Sequence, residues 1–254
     1  MVMAGKKALV TGGKRRIGRG IALALAEAGC DVGINDLQED EDAQETLRLI
    51  EAQGRQSAFF AADITSSVQV RGMFAGFVEH FGGIDILVNN PFYARHQSFL
   101  DIDEEEFDRT LGVCLKGYFL CSQEAARRMV DQQRGGSIVS ISSVHAQVVW
   151  DTDTCYGVAK AAILRLNQSM AVELGKYQIR CNVILPGFMD TDHVFGTAPP
   201  PFDAGLGPPR AHHTPTLRCS TPEEIGRAAV FPSSPASGNI TGVALPVDGG
   251  LLTG

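Results

Sequence analysis

Short runs rich in Val and Ile alternate along the chain with longer stretches of helical periodicity, and this rhythm limits the fold more than any other feature. Continuous apolar strands are buried on both faces, so their alternation with helices calls for a parallel sheet covered on each side. Lys7 to Val10 opens the pattern. A helix follows with Ile17, Ile21, Leu25 and Ala28 on one face, and Gly29 stops it. Asp31 to Asp36, Ala58 to Ala62, Ile84 to Val88, Ser137 to Ile141, Ile179 to Ile184 and Val243 to Val247 read as further strands. Helices are expected at Asp40 to Gln53, around Val70 to Phe81, at Glu104 to Gln132, at Tyr156 to Gly175, and from the capped start Thr221-Pro222-Glu223-Glu224. The expected fold class is α/β, a single doubly wound domain over residues 1–254. One stretch breaks the rhythm: about 191–219, with Pro199-Pro200-Pro201, Pro208-Pro209 and His212-His213, is too long and proline-rich for a plain connector and reads as a substrate lid.

Charge and cysteine usage narrow the partners. A net charge of -7 argues against a nucleic-acid or anionic-membrane surface, which needs a basic face. The cysteines Cys30, Cys114, Cys121, Cys155, Cys181 and Cys219 form no C-x-x-C pair and sit mostly in apolar segments, as reduced, buried thiols do. The first strand begins too early for a signal-peptide apolar region, and no apolar run is long enough to span a membrane, so a cytoplasmic protein is expected. Adjacent histidines on a proline-rich loop lack a useful ligand spacing, and no metal is expected.

The loop Thr11-Gly12-Gly13-Lys14-Arg15-Arg16-Ile17-Gly18 lies between the first strand and the first helix. In that place backbone N–H groups and the helix N-terminus can face a pyrophosphate, Gly12 permits the tight turn, and Gly18 permits close helix–strand packing. Asp36 ends the second strand eighteen residues after Gly18, where an acid can accept hydrogen bonds from an adenosine ribose and repel a 2′-phosphate. The basic run Lys14-Arg15-Arg16 pulls the other way, since it could pair with that phosphate. NAD is the expected cofactor, with NADP possible. Asp63 and Ile64 after the third strand, and Asn89-Asn90 after the fourth, fall where ligands bind in such sheets.

Tyr156 and Lys160 are four residues apart, on one face of a helix. A nearby ammonium favours phenolate, which would bring a tyrosine from its usual pKa of about 10 toward the range a general acid/base needs. Ser143, just past the fifth strand, can hydrogen-bond a substrate oxygen while Tyr156 exchanges its proton.

In this order and spacing the set resembles the short-chain dehydrogenase/reductase family over nearly the whole chain. The matching residues are Thr11-Gly12 with Gly18, Asp63, Asn89-Asn90, Ser143, Tyr156, Lys160, Pro186-Gly187 with Thr191, and the closing Val247-Asp248-Gly249-Gly250. The resemblance implies a Rossmann-like domain transferring a hydride between NAD(P) and an alcohol or carbonyl. It further implies Tyr156 as acid/base, Lys160 on the nicotinamide ribose, Ser143 orienting substrate, Thr191 reaching the carboxamide, and a homotetramer or homodimer. Arg15, Arg16, Ile17, Asn90, Pro186 and Gly187 complete the implied cofactor contacts.

The chain departs from the family at Arg16, which replaces the middle glycine of the loop, and at Pro91-Phe92, which replaces Ala-Gly. It also carries Cys114 where the family has an asparagine that helps hold a water in the proton relay, and a thiol is a poorer donor and acceptor. Ser143-Val144-His145 followed by Trp150 resembles a stretch of the family's glucose 1-dehydrogenases. Phe92, His145 and Trp150 are the expected substrate contacts, suited to a sugar, polyol or cyclic ketone. Alternatives are an NADPH-dependent 3-oxoacyl-carrier reductase and a weakly active dinucleotide-binding sensor or scaffold.

Overall fold

The computed structural model describes residues 2–190, 193–197 and 214–253. Seven strands form one sheet: β1 (Lys7–Thr11), β2 (Asp31–Asp36), β3 (Ser57–Ala61), β4 (Ile86–Asn89), β5 (Gly136–Ile141), β6 (Ile179–Pro186) and β7 (Ala244–Val247). Their order is β3-β2-β1-β4-β5-β6-β7, and every neighbouring pair is parallel. Chain direction across the sheet reverses between β1 and β4, which opens a crevice beyond the C-terminal ends of those strands.

Strand side chains alternate between two cores. Ala8, Val10, Ile86, Val88, Val139 and Ile141 face α1 (Arg16–Glu27), α2 (Glu41–Glu51) and α7 (Pro222–Ser233). Leu9, Leu87, Ile138 and Cys181 face α3 (Ser67–Phe81), α5 (Gly117–Gln132) and α6 (Thr154–Leu174). Helices α1 and α7 pack at backbone distance, because a Cβ on Gly20 would collide with the Pro222 carbonyl and one on Gly226 with the Gly20 carbonyl.

The structure differs from the sequence reading in two places that matter. The expected helix Glu104–Gln132 is divided into α4 (Glu104–Leu111) and α5 by a π turn, Gly112–Lys116, in which the Gly117 N–H reaches back to the Gly112 carbonyl. Such turns occur mostly at functional sites, and this one is centred on Cys114. Strand β4 starts at Ile86 rather than Ile84, because the Gln132 side chain takes both the N–H and the carbonyl of Ile84 out of the ladder. Thr191, His212-His213 and most of the expected lid lie outside the described residues.

Candidate active site

A single cleft of about 1990 Å³ runs along the C-terminal edge of the sheet. It is lined by Gly12, Arg15, Arg16, Ile17, Gly18, Asp36, Asp63, Ile64, Asn90, Phe92, Ser143, Tyr156, Lys160, Pro186 and Gly187. The expected cofactor and proton-transfer residues, Thr191 excepted, therefore share one cavity. His145 and Trp150 do not line it; His145 packs edge-on against Tyr156, and Trp150 stacks on His145.

At the dinucleotide end, Gly12 sits at φ +62, and its carbonyl accepts a 2.9 Å hydrogen bond from Asn90 Nδ2. Asn90 thus ties the glycine loop to the end of β4, while Asn89 is buried and donates to Ser122 Oγ at 2.9 Å. A Cβ on Gly18 would meet the Gly12 carbonyl, which explains glycine there. Arg16 takes φ +50, the left-handed region that glycine adopts freely, so the departure from the family's glycine is held at some backbone strain. Helix α1 starts with no side-chain cap and no acid in its first turn. Its N–H groups are left for an anionic group, and the residues present fit a dinucleotide pyrophosphate.

Lys14 decides how the loop's charges are read. Its Nζ lies 2.7 Å from Asp40 Oδ2 and 3.6 Å from Asp36 Oδ1. The hydrogen bond to Asp40 and the field of Asp36 raise the Lys14 pKa. This lysine is therefore committed to two carboxylates, and Arg15 and Arg16 remain as the other cations of the loop. Replacing Asp36 with Asn should raise kcat/KM for NADP relative to NAD by roughly ten-fold or more, because a full charge facing a phosphate is lost. Steady-state kinetics with both cofactors reads this out; an unchanged ratio would show that Asp36 does not face the adenosine ribose.

At the proton end, Ser143 Oγ accepts the His145 backbone N–H at 3.2 Å and hydrogen-bonds Tyr156. Burial raises the Tyr156 pKa above its usual value, and the Ser143 hydrogen bond opposes that rise. Lys160 makes no direct hydrogen bond to the phenol among the described residues. Lys160 Nζ is 5.4 Å from the Tyr156 ring centroid and donates instead to Ile141 O at 2.9 Å and Tyr118 Oη at 3.3 Å. Burial lowers the Lys160 pKa.

Two residues that the sequence reading passed over belong to this site. Asp153 occupies the N-cap position of α6 yet makes no capping hydrogen bond. Its buried carboxylate is held by His145 Nδ1, at very short range, and by His96 Nδ1 at 3.4 Å. A carboxylate only accepts, so Nδ1 of His145 carries the hydrogen of this contact. The His145 ring stacks on Trp150 at 4.3 Å between centroids and meets the Tyr156 ring edge-on at 5.4 Å. Phe92 meets Tyr156 edge-on, also at 5.4 Å. The second residue is Tyr118. Cys114 Sγ, for its part, accepts the Tyr93 N–H at 3.4 Å and donates to the Tyr93 carbonyl at 3.3 Å, so the thiol fastens the π turn to the loop after β4.

The parallel sheet, the phosphate-ready loop at its switch point and the Ser–Tyr–Lys cluster in one cleft define an NAD(P)-dependent oxidoreductase acting on CH–OH. A family model described as Enoyl-(Acyl carrier protein) reductase matches residues 12–252. An L-rhamnose 1-dehydrogenase (NAD(P)(+)) of Sphingomonas sp. (strain SKA58) is 36% identical over 250 residues, covering 98% of this chain and 97% of the relative. A 3-oxoacyl-[acyl-carrier-protein] reductase of Chlamydia muridarum is 35% identical, covering 98% of each. The crystal structure of acetoin dehydrogenase from Enterobacter cloacae superposes with a TM-score of 0.88 at 32% identity, covering 98% of this chain and 96% of that one. The chain belongs to the short-chain dehydrogenase/reductase family. No helix among the described residues is long and apolar enough to cross a membrane.

Proposed function

We propose that this protein oxidises a secondary CH–OH of a cyclic, hydroxylated substrate of the sugar class, reversibly, with NAD as the preferred cofactor. The observation that carries the substrate class is the Asp153–His145–Trp150 cluster beside Tyr156. It packs an imidazole held by Asp153, with the Trp150 ring stacked on it, against the Tyr156 ring, a pairing that suits a ring with several hydroxyls. The similarity to an L-rhamnose 1-dehydrogenase supports the same class.

The nicotinamide, when bound, supplies the hydride acceptor. Ser143 Oγ positions the substrate oxygen, and Tyr156 Oη takes its proton during oxidation and returns it during reduction. Lys160 places a positive charge near the phenol, and Asn90 fixes the glycine loop. Pro186, Gly187 and Thr191 as nicotinamide contacts, and about 191–219 as a cover for substrate within one domain, belong to the same proposal.

His145→Ala should raise KM for a productive sugar about ten-fold while changing kcat little, and should leave KM for a small acyclic alcohol unaffected. Equal losses for both substrates would remove His145 from substrate recognition. The 3-oxoacyl-carrier reading draws on Arg15, Arg16 and the acyl-carrier reductase relative. It would show itself as NADPH-linked reduction of 3-oxoacyl thioesters exceeding any sugar oxidation.

We also infer a cytoplasmic homo-oligomer, a tetramer or dimer. Cys30, Cys114, Cys121, Cys155 and Cys181 are buried thiols, as suits a reducing compartment. Exposed Phe107 and Phe119 on α4 and α5, and Val158 and Val172 on α6, give apolar helix faces that a second copy would cover.

A further inference from the structure

Lys160 is 2% exposed, so its ammonium has lost its water and its protein partners must replace that hydration. An ammonium carries three N–H donors. One goes to Ile141 O at 2.9 Å and one to Tyr118 Oη at 3.3 Å, which leaves a third for the cleft. Both partners are neutral oxygens.

Tyr118 is fully buried on the first turn of α5, and a core-filling role alone would be served as well by phenylalanine. Its hydroxyl is pinned from two other elements: Pro91 O lies at 2.9 Å and Ile141 O at 3.0 Å. The single hydroxyl proton serves these carbonyls, and the oxygen lone pairs are left to accept from Lys160. Burial holds the phenol protonated, so Tyr118 carries no charge through the cycle. Backbone carbonyls do not take up protons, so the hydroxyl is a fixed post rather than a link in a relay.

We propose that Tyr118 is a positioning residue for the redox reaction: its hydroxyl holds the Lys160 ammonium in register with Tyr156 and keeps it charged. The inference rests on the roles proposed above for Tyr156 and Lys160. The titratable groups acting on the pair are Tyr156 on α6, Cys114 in the π turn and Cys121 on α5.

The sign of the pH effect follows. An acceptor on an ammonium favours its charged form, so removing the acceptor lowers the Lys160 pKa further. Tyr118→Phe in the full chain should lower kcat for alcohol oxidation about ten-fold and move the alkaline limb of the kcat profile acidward by about one pH unit or more. In a Lys160→Met background the same substitution should change kcat less than about two-fold, since Tyr118 acts through the ammonium. An unshifted alkaline limb, or an equal loss in both backgrounds, overturns the proposal. Should Tyr118→Phe fail to fold, site-specific replacement of Tyr118 by 3-fluorotyrosine keeps the ring's shape while weakening its oxygen as an acceptor. The limb then still moves acidward, and a fixed limb overturns the proposal. An active Tyr156→Phe variant would remove the underlying reading instead, whereas an inactive Tyr156→Phe beside an unaffected Tyr118→Phe would remove only this inference.

Discussion

Tyr156→Phe should lower kcat by roughly a hundred- to ten-thousand-fold while leaving the dissociation constants for the dinucleotides within about two-fold of wild type. The phenol is half-buried in the cleft, its hydroxyl bonds Ser143, and Phe92 and His145 meet the ring edge-on. Phenylalanine keeps both ring contacts and loses only the oxygen that moves the proton. Ser143 does not substitute for it, because a serine hydroxyl is far less acidic than a phenol. Isothermal titration with NADH alongside single-turnover kinetics separates binding from chemistry. Appreciable residual turnover would exclude Tyr156 as the acid/base.

Lys160→Met should cost roughly a hundred-fold or more in kcat and yet leave the melting temperature unchanged or raised. Methionine fills a similar volume without charge. The ammonium it replaces is buried against neutral oxygens alone, the situation in which an apolar substitute is often neutral or stabilising. The sign with pH is fixed by the direction of the shift. Burial lowers the folded-state Lys160 pKa below the ordinary 10.5. Between the two values the unfolded chain binds a proton that the folded chain has lost, so wild-type stability rises with pH there. The stability advantage of Lys160→Met should therefore shrink as pH approaches 10.5 from below, measured by thermal melts across that range. A large destabilisation that is independent of pH would mean that Lys160 is a structural residue.

What the sequence made legible is whatever depends on spacing along one element or between adjacent ones. Gly12 and Gly18 bracket a strand-to-helix turn, Asp36 ends a strand, and Tyr156 and Lys160 share a helix face; each follows from local geometry. The remainder depends on contacts between distant segments. Tyr118 reads as one more aromatic on a helix, and only packing places its hydroxyl between Lys160, Pro91 and Ile141. Asp153 carries no local signal, and its place in the site becomes visible only when His145 and His96 are seen to hold its carboxylate. The π turn is silent because no residue type within Glu104 to Gln132 marks a five-residue hydrogen-bond step. Cys114 is a further case. Its thiol bonds both backbone groups of Tyr93, so the junction between π turn and loop is made with sulfur.

The placing of Lys160 has the same origin. Four-residue spacing put Lys160 beside Tyr156, but the reach of Nζ was settled across the sheet by Ile141 and Tyr118. Burial then dominates the phenol, and Ser143 supplies the opposing pull.

Hydride transfer itself is tested most directly by incubating the wild-type chain with NAD and with NADP against a panel of sugars, polyols and cyclic alcohols, following nicotinamide reduction together with proton release. The predicted result is reduction with at least one CH–OH substrate and one proton released per hydride transferred. Tight NADH binding with no turnover across the panel, in either direction, would contradict it and leave a dinucleotide-binding sensor or scaffold in its place.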